Sequence, residues 1–155
     1  MSLAEKLRAA SYVIHSVFIY AALTKAGFVK VGLSRTPFDR IYQVHVGSPS
    51  PVEACQWVWV GSLHIGRQIE RDVRKVWKAR HTRGEWFLFD YKDPADKRAF
   101  HDELTAVVAK ATKRDVEWNK LGPGQTADLL REAWERQQAK PRGRPNERHP
   151  WRSRS

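Results

Sequence analysis

The chain is poor in sulfur, with a single cysteine, Cys55, and a single methionine among its 155 residues. A lone cysteine cannot close an intramolecular disulfide or anchor a cysteine-rich zinc site, so a reducing compartment, the cytoplasm by default, is expected. Long apolar runs are also missing. A membrane span needs roughly 20 apolar residues, whereas Val17–Leu23 is ended at once by Lys25. The first ten residues carry charges and lack the apolar run of an export signal, so neither export nor a membrane location is expected. There is no internal repeat and no Walker-type phosphate loop, and His45, Cys55, His64 and His81 do not stand at metal-ligand spacing. Acidic side chains are scarce relative to basic ones, 17 against 28, which leaves a formal charge of +11.

What is present is enough apolar material to fold. Hydrophobic residues make up 41% of the chain, including seven Trp and six Phe, which excludes disorder throughout. The positive excess points to nucleic acid or another anionic surface. It is unevenly placed: residues 1–92 hold 14 basic and 7 acidic side chains (+7), residues 93–138 hold 8 and 9 (−1), and residues 139–155 hold 6 and 1 (+5). Composition shifts at the same places, from Val, Ile and aromatics to helix formers and then to Arg, Pro and Ser. Three parts are expected: a compact domain over 1–92, a helical extension over 93–139, and a disordered basic tail over 140–155.

Tyr12–Tyr20 and Phe28–Leu33 are β-branched and aromatic runs around a turn containing Lys25 and Gly27, which predicts a hairpin. Thr36 as N-cap, Pro37 at N1 and Asp39 at N3 predict a helix that ends at Gly47. A third strand is expected over Val52–Val60, with Trp57 and Trp59 on one face. A helix follows from His64 to about Arg80, with Ile65, Ile69, Val73 and Val76/Trp77 at helical spacing and Arg67, Glu70, Arg71 and Arg74 on the other face. Trp86–Asp90 is a short strand. The pattern gives an α+β domain with a small, largely antiparallel sheet flanked by helices. Pro94–Lys113 and Thr126–Ala139 read as two further helices, whose packing partner the sequence leaves open.

The order Ala10-Ser11-Tyr12-Val13-Ile14, Val29-Lys30-Val31-Gly32-Leu33-Ser34, Arg40 and Glu70 resembles the GIY-YIG nuclease superfamily, and more closely its short phage-type DNA-binding subgroup, in which lysine replaces the second tyrosine to give K-x-G. Thr36-Pro37-x-x-Arg40, Gly47-Ser48-Pro49-x-Pro51 and Arg83-Gly84-Glu85-Trp86-Phe87 match that subgroup as well. The resemblance covers about residues 11–90. It implies a metal-dependent DNA endonuclease, in which water attacks a phosphodiester in line and the protein helps to make hydroxide and to stabilise the developing charge.

By that resemblance Glu70 is the carboxylate that holds one Mg²⁺ or Mn²⁺, a weak site that needs water and the substrate phosphate to complete its shell. Tyr12 accepts or relays the proton of the attacking water. A phenol titrates near 10, so cationic neighbours must help it, and Lys30 and Arg40 would supply that field. The Arg40 guanidinium can also hold phosphate oxygens through two parallel bonds. Gly32 is expected where the backbone passes close to the following helix or to the substrate. A histidine that some relatives place one turn after the arginine falls here at Val44; His45 is adjacent but rotated by about 100° on a helix. Arg35, Arg67 and Arg74 are expected to bind DNA.

Each of these residues also has an ordinary reading. Glu70 lies three residues after Arg67 and four before Arg74, the spacing of a helix-surface ion-pair ladder worth a few tenths of a kcal/mol. Tyr12 and Lys30 would otherwise be plain strand residues, and Arg40 a solvated helix arginine. Trp57, Trp59, Trp86 and Phe87 read as packing rather than as base-stacking platforms. Glu85 is either a second acidic group or the residue that starts a strand.

In the tail, Pro141-Arg142-Gly143-Arg144-Pro145 looks like the core of an AT-hook, an extended strip whose Arg142 and Arg144 enter a narrow A·T minor groove while Gly143 lets the backbone reach its floor. An ordinary Arg/Pro-rich tail binds phosphate without that preference. The expected partner is double-stranded DNA, with a monomer making a single-strand break and a dimer needed to cut both strands. The alternatives are a non-cleaving DNA-binding module on the same fold and an RNA-binding or ribosome-associated basic protein.

Overall fold

A computed structural model of the chain describes residues 16–48 and 50–139. Among the described residues six strands are formed: β1 (Val17–Thr24), β2 (Phe28–Ser34), β3 (Val52–Gly61), β4 (His81–Arg83), β5 (Trp86–Leu88) and β6 (Asn119–Leu121). The helices among the described residues are α1 (Pro37–Gly47), α2 (Leu63–Val76), α3 (Pro94–Thr112) and α4 (Pro123–Ala139), with a 3-10 turn at Lys78–Arg80. The strands make one sheet in the order β4-β5-β2-β1-β3-β6, with every pairing antiparallel. The fold is α+β. No helix among the described residues is long and apolar enough to cross a membrane.

β1 lies inside the sheet and is covered on both faces, so it reads as a nearly unbroken apolar run instead of an alternating one. Its odd residues Val17, Ile19 and Ala21 join Val29, Val31, Val60, Ile69, Val73, Phe100, Leu104 and Val108 in one core. Its even residues Phe18, Tyr20 and Ala22 join Phe38, Ile41, Val44, Trp57, Leu129, Leu130 and Ala133 in the other. The helices after residue 93 thus find their partner in the sheet itself, α3 in the first core and α4 in the second. β6 extends the sheet beyond β3, pairing Leu121 with Cys55. Trp77 sits at the centre of an aromatic cluster, 5.4 Å from Phe87, 4.8 Å from Phe89 and 5.8 Å from Phe100 between ring centroids.

Several local expectations are revised. β1 runs on to Thr24, four residues past Tyr20, and residues 12–15 lie outside the described residues. Thr36 precedes α1 but makes no side-chain cap; its backbone angles of −130° and 73° are not those of a capping residue, and its own N–H donates to Ser34 Oγ at 2.9 Å. Pro37 still opens the helix, with φ already set and no amide to satisfy. α2 stops at Val76 rather than Arg80, its start capped by Ser62 Oγ, which accepts from the Ile65 N–H at 3.2 Å. The strand from Trp86 ends at Leu88, and the three-residue strands β4 and β6 were not expected at all.

Candidate active site

Tyr20 lies in the middle of β1, buried, directly opposite Gly32 of β2. Its ring crosses over that glycine: a β-carbon at position 32 would stand 2.5 Å from the phenol oxygen and 2.7 Å from Cζ. Only a residue without a side chain allows this arrangement. The neighbour that makes Gly32 a glycine is therefore this tyrosine, not the following helix.

Lys30 is two residues before Gly32 and shares its face of the sheet. It pairs with Ala22 on one side and Trp86 on the other, and its Nζ lies 5.8 Å from the centre of a Trp86 ring. From the turn between β4 and β5, the Glu85 carboxylate stands between two cations, with Oε2 3.7 Å from Lys30 Nζ and Oε1 3.6 Å from Arg74 Nη2. Glu70 comes in on α2, one turn before Arg74. This helix is drawn against the sheet at Gly66, where a β-carbon would meet Val17 at 3.3 Å and Leu33 at 3.4 Å. Glu70, Arg74 and Glu85 line a recess of about 10 Å³ floored by Val31, Val73 and Phe87, about the room one water needs.

The charges act on one another. Burial pushes the Tyr20 phenol above its ordinary value; the Arg40 guanidinium, facing it as a donor and as a positive charge, opposes this, while Glu85 and Glu70 add to the rise. Burial likewise raises Glu70, Glu85 raises it further, and Arg74 and Arg67 pull it back. Arg40 itself is exposed in the first turn of α1, its Nη1 donating to Gln43 Oε1 at 3.2 Å. Tyr20, Arg40, Glu70 and Glu85 thus form one electrostatic unit, with Lys30 and Arg74 tied to it through Glu85.

Glu70 and Glu85 are hard oxygen donors on one recess, and no group of three or more His, Cys, Asp or Glu able to hold a metal occurs among the described residues. With Glu85 held between Lys30 and Arg74, Glu70 alone suits a hard cation that takes the rest of its shell from water and substrate, as Mg²⁺ commonly does, and does not suit a zinc cage.

Of the residues singled out in the sequence, Arg40 and Glu70 both act on Tyr20 and Lys30 joins them through Glu85, while Arg35, Arg67 and Arg74 are exposed, Arg35 in the β2–α1 turn and the other two on α2 flanking Glu70. Tyr12, Arg142, Gly143 and Arg144 lie outside the described residues. Among the described residues, the tyrosine that Arg40 and Glu70 act on is Tyr20. The signal for it is hairpin register: counted outward from the Lys25–Gly27 turn, the partner of Gly32 is residue 20. Glu85 is the other group brought to this site.

Val44 is buried in the core, and His45 Nδ1 accepts the Val52 N–H at 3.1 Å, so that ring braces the loop before β3, and burial lowers its pKa. The two tryptophans part company. Trp57 is buried, whereas Trp59 is 45% exposed with the Arg114 guanidinium 4.5 Å from its ring centre. A second small recess, between α1, β3 and α4, is lined by apolar groups and by Cys55, whose thiol burial pushes up to about 11. Comparison with protein-family models, with curated proteins and with solved structures returned no match.

Proposed function

We propose that the chain is a metal-dependent DNA endonuclease of the GIY-YIG type, hydrolysing phosphodiester bonds by in-line attack of water, with Tyr20 in the role first expected of Tyr12. The observation that carries the reading is the meeting of Tyr20, Arg40, Glu70 and Glu85 from β1, α1, α2 and the β4–β5 turn in one charged unit. A surface ion-pair ladder on α2 would involve Glu70, Arg67 and Arg74 alone. It would not require a glycine cleared for a tyrosine ring on the neighbouring strands.

On this reading Arg40 holds non-bridging oxygens of the scissile phosphate through its planar fork, and Lys30 binds backbone phosphate as a point charge. Tyr20 orients the attacking water and passes its proton on. As a buried phenol it is a weak base in the free protein, and the Arg40 charge is what favours its ionised form. Glu70 would hold Mg²⁺ or Mn²⁺, which when bound supplies Lewis-acid stabilisation of the phosphate charge.

A non-cleaving DNA-binding module on the same fold is the second reading. It is favoured by the burial that keeps Tyr20 protonated and by His45 being engaged with the Val52 N–H.

Supercoiled plasmid incubated with the protein and Mg²⁺ or Mn²⁺ separates the two. The expected result is nicking that Glu70→Ala and Tyr20→Phe abolish and Tyr12→Phe leaves in place. DNA binding without cleavage in either metal supports the module, and nicking untouched by Glu70→Ala overturns the site.

A further inference from the structure

The two contacts of Glu85 have an unusual form. Each carboxylate oxygen faces a different cation, Oε2 toward Lys30 and Oε1 toward Arg74, and both distances, 3.7 and 3.6 Å, exceed hydrogen-bond reach. The carboxylate is held between the two cations by charge alone. It is also accessible, with 41% of the Glu85 side chain and 58% of Arg74 exposed, so water screens and weakens both contacts. Lys30 is more enclosed, at 19%, with its Nζ over Trp86. The three groups come from β2, α2 and the β4–β5 turn, so their spacing is fixed by the fold and not by neighbouring positions on one helix.

Two cations that each face one oxygen of a single anion match the two non-bridging oxygens of a phosphodiester. We propose that Lys30 and Arg74 form a subsite for one backbone phosphate of the nucleic acid, and that Glu85 fills it as a placeholder in the free protein. The inference rests on the reading of the chain as a DNA-acting protein and deepens it. The placeholder keeps two like charges paired and in position while the subsite is empty. A phosphodiester displaces it because its two non-bridging oxygens can come within hydrogen-bond distance of both cations, which Glu85 at 3.7 and 3.6 Å does not, and this leaves the Glu85 carboxylate free to turn into water.

The test is binding of a fluorescently labelled duplex in EDTA, where no cleavage occurs, followed by anisotropy at one fixed salt concentration. Glu85→Gln is expected to tighten binding about two- to fivefold, the fold-change that corresponds to releasing one exposed ion pair. In a Lys30→Gln, Arg74→Gln background the same substitution is expected to gain nothing, because the cations it frees are gone. Glu53→Gln, which removes an exposed acid on β3, serves as the control for net charge. A gain that persists without Lys30 and Arg74, or that Glu53→Gln equals, means bulk charge alone and overturns the subsite. No gain from Glu85→Gln in a protein that binds duplex overturns it too. Absence of duplex binding in the wild-type protein overturns the DNA reading itself.

Discussion

The ring of Tyr20 occupies the space that a side chain at Gly32 would fill, so close that a β-carbon there would lie 2.7 Å from Cζ. The pair is directly cross-strand in the β1–β2 ladder, and neither partner can shift without breaking its register. Gly32→Ala is therefore a probe of the tyrosine and not of the backbone, because position 32 is not among the residues with positive φ. The added methyl must displace the ring from Arg40, with an overpacking cost of about 1–3 kcal/mol. Nicking is expected to fall to near the Tyr20→Phe level, while circular dichroism keeps the folded spectrum and the melting temperature drops by a few degrees. Wild-type nicking in a folded Gly32→Ala protein would show that the ring position does not matter.

Much of this was legible because local signals were strong. The Lys25–Gly27 turn between two β-rich runs, Pro37 at a helix start and the spacing of Ile65, Ile69 and Val73 each fix an element whatever surrounds them. The first strand's reach was harder to read, because a strand buried on both faces loses the alternation that marks its ends. Tyr12 lies outside the described residues, and pairing across the turn, which order along the chain does not reveal, puts Tyr20 opposite Gly32. β4 and β6 were illegible for another reason. Three residues carry too little periodicity, and each strand exists because a neighbouring edge, β5 or β3, offers it backbone partners. Glu85 could be seen as acidic from the sequence, but its two cations are 55 and 11 residues away in the chain and meet it only in the fold.

Glu70 is expected to destabilise the fold at neutral pH. Burial and Glu85 raise its pKa above the ordinary 4.5, so the folded state holds its proton more tightly than the unfolded one. A group shifted in this direction contributes its stability below the unfolded value and loses it as pH rises through the folded one. Glu70→Gln, which mimics the protonated form, should accordingly melt above the wild-type protein at pH 7 and coincide with it near pH 3. Thermal melts of both proteins across that range, without metal, check the sign. A lower melting temperature for Glu70→Gln at pH 7 would mean that pairing with Arg67 and Arg74 outweighs burial.

The only thiol should report unfolding. Cys55 is buried on β3, its Sγ 3.9 Å from Thr126 Oγ1, and its pKa of about 11 leaves almost no thiolate at pH 7. A thiol-reactive dye added to the native protein is expected to react at the rate of global opening, orders of magnitude more slowly than with the protein in denaturant. Labelling that is fast in buffer yet leaves the melting curve unchanged would place the thiol at an accessible surface and contradict the packing of α4 over β3.

Asp96 ties the start of α3 to the 3-10 turn after α2 and to the loop after β5. Its carboxylate accepts two hydrogen bonds from Arg80, at 2.9 and 3.1 Å, and a third from the Asp90 N–H at 2.7 Å. The same guanidinium lies 4.2 Å from the centre of the Phe89 ring. Arg80 first, and then the Asp90 amide, hold the Asp96 pKa below its ordinary 3.8. For a pKa depressed by folding, the stabilisation is present above the unfolded value and disappears as pH falls through the folded one. Asp96→Asn should lower the melting temperature at pH 7, and the gap between the two proteins should close only below about pH 4, where the wild-type carboxylate becomes protonated. Because the clamp joins the part that carries Glu70 and Glu85 to the helix that completes its core, the variant should still melt in a single step. Two resolved transitions would mean instead that residues 93–139 fold apart from the sheet. An unchanged melting temperature at pH 7 would mean that the three hydrogen bonds contribute nothing to stability.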